Sequence, residues 1–215
     1  DKEFTKKVLA AAGLPVAPEV ILKGRTELSE EEKQHLGLPV FVKPARGGSS
    51  IGVSKVNSWE EFPAAVDLAL EDDEKILVEP EIVGQEVEIG VLHYADGTLL
   101  ASVPALLAGI DDSDEGFYGF DTKYLDNVVT AEIPAPFTPE LTEKLRDMAV
   151  RAFEALNCEG LSRVDFFVTE DSVYINEINT LPGFTPISMY PQVLAASGVE
   201  YPALLEALIE QALAK

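Results

Sequence analysis

Phe4, Val8, Leu9 and Ala12 recur at helical spacing at the start of the chain, and Gly13 supplies a stop signal, which predicts a first helix. A strand is expected near Ala17–Leu22. The polar, helix-forming stretch from Ser29 to His35 precedes LPVFVKP at 38–44, an apolar run that reads as a buried strand. GGSS at 47–50 interrupts it, and a second strand follows around Gly52–Val56. Ser58-Trp59-Glu60-Glu61 has the S-x-x-E spacing of a capping box, predicting a helix from there to about Glu71, with KILVEP at 75–80 as the next strand.

From Gln85 the pattern lengthens: QEVEIGVLHY and TLLASVPALL flank the Asp96-Gly97 turn and predict a hairpin of long strands. Gly109–Asp121 is acidic and aperiodic, a loop of the length that serves as a lid or binding loop. Thr138-Pro139-Glu140 offers an N-cap, a proline at the first helical position and a first-turn acid for a helix to about Asn157. Strands at 161–169 and 173–180 and two short helices near 188–197 and 202–213 complete an α+β pattern without internal repeat.

Composition narrows the function classes. The chain of 215 residues is 47% hydrophobic and 25% charged, as in ordinary globular proteins, and its length suits one large or two small domains. Its net charge of −22 argues against a non-specific nucleic-acid grip or attraction to an anionic membrane. The charge is uneven: residues 1–58 carry nine basic and seven acidic side chains, whereas residues 59–121 carry one and seventeen. A polyanionic ligand therefore has to meet cations of the first segment. Cys158 is the single cysteine, so neither an intrachain disulfide nor a cysteine-based zinc site is available, and a reducing cytoplasm fits. The two histidines, His35 and His93, read as structural, and no apolar run approaches the ~20 residues of a membrane span.

The most informative segment is the hairpin at 161–180. Side chains on a strand alternate between faces, so Arg163 shares a face with Asp165, and Glu177 with Asn179. A turn about Asp171 pairs Asp165 with Glu177 and Arg163 with Asn179, gathering two carboxylates, a carboxamide and a guanidinium, unless a bulge shifts the register. Such an all-oxygen donor set suits Mg²⁺, with arginine beside it for a developing oxyanion; the same spacing suits a surface hairpin with cross-strand salt bridges. KPARGGSSIG at 43–52 places Lys43 before a glycine loop rich in N–H and hydroxyl donors, either a phosphate cradle or a plain hairpin loop. Lys2, Arg46 and Lys123 are the other cations in unusual surroundings.

Six segments in order, DKEFTKKVLAAAGLPVAP (1–18), FVKPARGGSSIGVSKV (41–56), ILVEPEIVGQEVEIGV (76–91), FDTKYL (120–125), GLSRVDFF (160–167) and INEINTLPGFTPISMYP (175–191), resemble the ATP-grasp superfamily and, within it, the D-alanine–D-alanine ligases, over essentially the whole chain. The resemblance implies two α+β lobes with antiparallel sheets closing on ATP, residues 1–81 forming the first and 82–215 the second. It implies that Lys2 and Lys43 hold the α- and β-phosphates, that the loop with Ser49 and Ser50 covers them, and that Lys123 reaches the γ-phosphate. Glu79 and Ile82 would receive adenine and Glu86 the ribose. Asp165, Glu177 and Asn179 would bind two Mg²⁺ ions (or Mn²⁺), Glu177 bridging them. Arg163 and the Gly183 backbone would form the oxyanion site, with Ser188 and Met189 at the second D-alanine.

The implied activity is ATP-dependent joining of two D-alanines through an acyl phosphate, for peptidoglycan precursors, in a cytoplasmic homodimer. A ligase making D-alanyl-D-lactate or another D-amino-acid dipeptide is the nearest alternative, and Tyr124, in KYL, resembles the peptide-forming pattern. A Mg·ATP-binding fragment that does not catalyse is the reading from a different class. Two departures matter: Gly47 stands where some members have glutamate, and the family's additional amino-terminal α/β domain, which helps bind the first D-alanine, has no counterpart here. The resemblance therefore implies that residues 1–215 alone bind ATP but are nearly inactive as a ligase.

Overall fold

The structure, a computed structural model, describes residues 1–108, 130–185 and 187–214. It divides into two units, each built on its own antiparallel sheet. Their described parts are Asp1–Lys7 with Ala17–Val83, and Val8–Val16 with Gly84–Ala108 and the chain from Thr130. The first unit thus runs to Val83, and Val8–Val16 go with the second unit. Helix α1 (Lys2–Ala11) begins in one unit and ends in the other.

In the first unit, strands β1 (Val20–Lys23), β2 (Val40–Pro44), β3 (Ser54–Val56) and β4 (Lys75–Pro80) pair in the order β1-β4-β2-β3. Strand alternation sorts their side chains. Val40, Val42, Ile76 and Val78 join the core with helices α2 (Glu30–Leu36) and α3 (Phe62–Leu70), while Phe41, Lys43 and Glu79 take the opposite face. Helix α3 begins later than its S-x-x-E pattern suggests. Glu61 Oε2 does accept from the Asn57 and Ser58 amides, but residues 58–61 form a turn, and the helix opens at Phe62 with Pro63 in its first turn. The complete capping box lies at Ser29, whose hydroxyl accepts from Glu32 N while the Glu32 carboxylate accepts from Ser29 N.

In the second unit, β5 (Gln85–His93) is central: β9 (Leu161–Val168) flanks it on one side, and β6 (Leu99–Ala101) and β7 (Ala105–Ala108) pair with it in turn. The stretch read as one strand, TLLASVPALL, is broken at Ser102–Pro104, since Pro104 has no N–H for a ladder and Val103 N donates to Ser197 Oγ. Two further strands, β8 (Thr130–Glu132) and β10 (Val173–Asn179), lie at the sheet's edges. One face buries Val87, Ile89, Val164 and Phe166 beneath helix α4 (Pro139–Ala155), which Thr138 caps through Leu141 N. The other is apolar at one end, where Leu92 meets helices α5 (Met189–Ala196) and α6 (Tyr201–Leu213), and polar along the rest. Gly90 permits this close packing: a Cβ there would run into Leu194 and Tyr190 of α5.

Among the described residues no helix is long and apolar enough to cross a membrane.

Candidate functional site

In the first unit, the sheet face opposite the core is charged. Lys43 and Lys6 both pair with the Glu79 carboxylate, which is 5% exposed, and Glu19 lies 3.5 Å from Lys6. Burial by itself pushes the Glu79 carboxyl up, but Lys43 and then Lys6 outweigh it and hold the group below the ordinary carboxylate range. The sequence reading found Lys43 and Glu79 and missed Lys6, a lysine on helix α1 that only the fold carries to the sheet. Lys2, on the same helix, donates from Nζ to Gly47 O at 3.1 Å and from its backbone to Ala45 O at 2.9 Å, so the fold brings it to the glycine loop.

That loop has an unusual backbone. Gly47, Gly52 and, without glycine's freedom, Ser49 and Ser50 all have positive φ, 53° and 57° for the two serines. Ile51 N to Gly48 O and Val53 N to Ser50 O, at 3.2 and 3.3 Å, close it. Its start is pinned by Asp73, whose carboxylate accepts from Arg46 Nε, Nη2 and N at 2.7–2.9 Å. The Arg46 hydrogen bonds, outweighing burial, bring the Asp73 carboxyl down to about 2. Arg46 is thus committed to holding the loop. Ile82, just past β4, is half-buried in the same unit.

In the second unit, the hairpin delivers the expected pairs by an unexpected route. Thr169 N donates to Ser172 O across the turn, and Val173, Tyr174 and Ile175 pair with Val168, Phe167 and Phe166. That register is one residue off the expected one. A bulge between Ile175 and Glu177 then makes up the difference, so that Glu177 faces Asp165 and Asn179 faces Arg163. Arg163 forks onto Asp165, Nε to Oδ1 and Nη2 to Oδ2, each at 2.7 Å, and Asn179 Nδ2 donates to Asp165 Oδ2 at 2.9 Å.

Strand β5 adds Glu88, which the sequence reading did not single out. It is 2% exposed, lies opposite Asp165, and its Oε2 is 3.0 Å from Arg163 Nε. A carboxylate midway along an otherwise buried strand was the available signal. Burial lowers the affinity of Arg163 for its proton, yet Asp165, Glu88 and Glu177 together hold it above the ordinary arginine value. Glu86 is half-buried on β5, opposite Phe167.

Gly183, exposed, and Ser188, half-buried, lie close together: a Cβ on Gly183 would sit 2.9 Å from Ser188 Oγ. That hydroxyl contacts Thr185 N and Oγ1 at 3.0 and 2.8 Å, folding the loop back on itself ahead of α5 and the half-buried Met189. Lys123, Tyr124 and the Gly109–Asp121 loop lie outside the described residues.

The donors Asp165, Glu177 and Asn179 are all oxygen-bearing, and Asn179 turns its amide nitrogen to Asp165, keeping its carbonyl oxygen as a donor; this chemistry fits a hard divalent cation. Among the described residues no group of three histidine, cysteine, aspartate or glutamate side chains is gathered as a metal site, so the carboxamide is needed to complete such a set.

Three comparisons bear on this arrangement. The family model described as D-ala D-ala ligase C-terminus matches residues 8–210. A D-alanine–D-alanine ligase from Corynebacterium efficiens is 66% identical over 99% of this chain and 59% of its own length. Among solved structures, the VanG D-Ala:D-Ser ligase from Enterococcus faecalis has a TM-score of 0.85 and 33% identity, covering 98% of this chain and 61% of that one. The Bacillus anthracis D-alanine–D-alanine ligase complexed with ATP has a TM-score of 0.81 and 27% identity over 99% and 65%. The chain spans about three-fifths of the length of the curated relatives it matches.

Proposed function

The chain belongs to the D-ala D-ala ligase C-terminus family and has its α+β, ATP-grasp fold, and on that basis we propose that it carries the ATP- and metal-binding machinery of a ligase that joins two D-alanines. The observation that carries this reading is the convergence of Arg163, Asp165, Glu177 and Asn179 on one sheet face through a bulged hairpin. A surface hairpin braced by salt bridges needs neither the bulge nor a half-buried arginine shared between carboxylates.

In this reading the first unit, as one lobe, handles the nucleotide. Lys43 and Lys2 supply charge to the α- and β-phosphates, the Ser49–Ser50 loop covers them with N–H and hydroxyl donors, and Glu79 and Ile82 receive adenine. In the second unit Glu86 takes the ribose, while Asp165, Glu177 and Asn179 hold magnesium, which when bound neutralises phosphate charge. Lys123 serves the γ-phosphate.

A carboxylate is a poor electrophile until its oxygen can leave. The first D-alanine's carboxylate oxygen therefore takes the γ-phosphoryl group, releasing ADP. The amine of the second attacks the acyl carbon, Arg163 and the Gly183 N–H stabilise the oxyanion, and phosphate departs as the amine loses a proton. Ser188 and Met189 contact the second amino acid, with Tyr124 nearby in role. A cytoplasmic homodimer is part of the same proposal.

The fold is shared with a D-Ala:D-Ser ligase, so the second substrate is a finer question than the fold answers. Incubating the full protein with Mg·ATP and D-alanine, alone or with D-serine or D-lactate, and weighing the products by mass spectrometry separates the alternatives. D-Alanyl-D-alanine with stoichiometric ADP is expected. ATP binding without any condensed product would leave only the nucleotide-binding reading.

A further inference from the structure

We propose that Glu88 is a positioning residue for Arg163, holding its guanidinium in place for the condensation step when Asp165 turns to metal. The inference rests on the ligase reading above and adds to it a residue with no assigned task.

Asp165 is asked to do two things. Both its oxygens accept from Arg163 at 2.7 Å, and the same oxygens are the proposed metal donors. A cation on Asp165 competes with that fork, so an arginine held by Asp165 alone would lose its place as the site fills. The position directly across β5 from Arg163 cannot help, because it is Gly90, kept bare by Leu194 and Tyr190. The diagonal position can: Glu88, two pairs along the ladder and on the same face, puts Oε2 3.0 Å from Arg163 Nε as an ion-pair partner, poised to take the Nε hydrogen that Asp165 now accepts.

Stability does not explain this carboxylate well. At 2% exposure Glu88 has lost nearly all its water, and a buried ion pair gains little over apolar side chains of the same volume. Val87 and Ile89 face the core on the other side of the sheet, and the neighbours that share Glu88's face on β5 are Glu86 and Gly90. A fixed anion beside Arg163 keeps the guanidinium from following Asp165, leaving its remaining N–H groups for a substrate oxygen.

The test compares wild type, Glu88→Gln and Glu88→Asp in the full protein, measuring ADP and dipeptide separately. Formation of the acyl phosphate does not need the oxyanion donor, but its capture by the amine does, and an acyl phosphate captured late is lost to water as free amino acid and phosphate. For Glu88→Gln we expect kcat for dipeptide to fall at least tenfold, KM for ATP to change less than twofold, and the ratio of ADP to dipeptide to rise severalfold. Glu88→Asp, which restores the charge, should recover part of the ratio.

A second measurement does not depend on turnover: the Arg163 Nε–H NMR signal should exchange with solvent at least tenfold faster in the glutamine variant once magnesium is added. Should Glu88→Gln fail to fold, the aspartate variant and this signal carry the test. An unchanged product ratio with unchanged Nε–H exchange would overturn the positioning role while leaving the ligase reading intact. Wild-type protein that makes no dipeptide would overturn the ligase reading itself.

Discussion

Glu79 is ionised while nearly buried because two lysines from distant parts of the chain meet it, Lys43 from its own sheet and Lys6 from helix α1. Replacing Lys6 with methionine leaves Lys43 as partner, so the cost should fall at or below the low end of the roughly 3–5 kcal/mol typical for breaking a buried pair. Because the folded-state pKa of Glu79 is depressed, its pairing contributes stability above the ordinary unfolded value near 4.3 and loses it as pH falls through the folded one. Urea unfolding should therefore show a wild-type advantage at pH 7 that narrows below about pH 4; a gap independent of pH would mean that the lysine acts by packing alone. Residues of this kind mark the limit of reading a sequence. Lys43, Arg163, Asp165 and Glu177 were legible because motif spacing or strand alternation announces them. Lys6, Asp73 and Glu88 were not, since each acquires its role from a partner tens of residues away.

At the scale of elements, local chemistry was legible where one signal dominated. KILVEP gives β4 to the residue, and Thr138-Pro139 starts α4 as expected. The exposed Thr130–Glu132 strand has no apolar periodicity and went unread, and the hairpin register emerged correctly at its functional end because a turn offset and a bulge cancel. Two S-x-x-E sequences show how tertiary context decides. Ser29 and Glu32 exchange both bonds of a capping box on α2, where Arg25 also forks onto Glu32 and draws its carboxyl down to about 2, whereas Ser58 precedes a turn. Ser29→Ala should therefore cost about 1 kcal/mol, felt the more because α2 has only seven residues, and Ser58→Ala less than about 0.5 kcal/mol. Equal losses in chemical denaturation would mean that the box does not stabilise α2.

Over the whole molecule, the charge is distributed so that a polyanion has few places to bind. A net charge of −22 repels nucleotide at long range, while the first 58 residues carry nine of the sixteen cations. Lys2 and Lys43, proposed for the phosphates, and Asp165, Glu177 and Asn179, proposed for the metal, are far apart in the chain, and the ligase reading requires them to serve one magnesium–nucleotide complex. That requirement has a thermodynamic signature. A ligand at a hundred times its Kd stabilises the protein by about 2.7 kcal/mol, so melting temperature reports occupancy without any need for turnover. ATP with EDTA should raise the wild-type melting temperature slightly, magnesium alone hardly at all, and the two together by clearly more than the sum. Lys43→Met should abolish the response to ATP in either condition, because the phosphates lose a charged contact inside an acidic protein. Glu177→Gln should keep the response to ATP in EDTA and lose the increment that magnesium adds, since it removes a metal donor and leaves the nucleotide's cations in place. Strictly additive shifts in wild type would show that nucleotide and metal bind independently, and a Glu177→Gln variant with the full magnesium increment would remove that residue from the metal site.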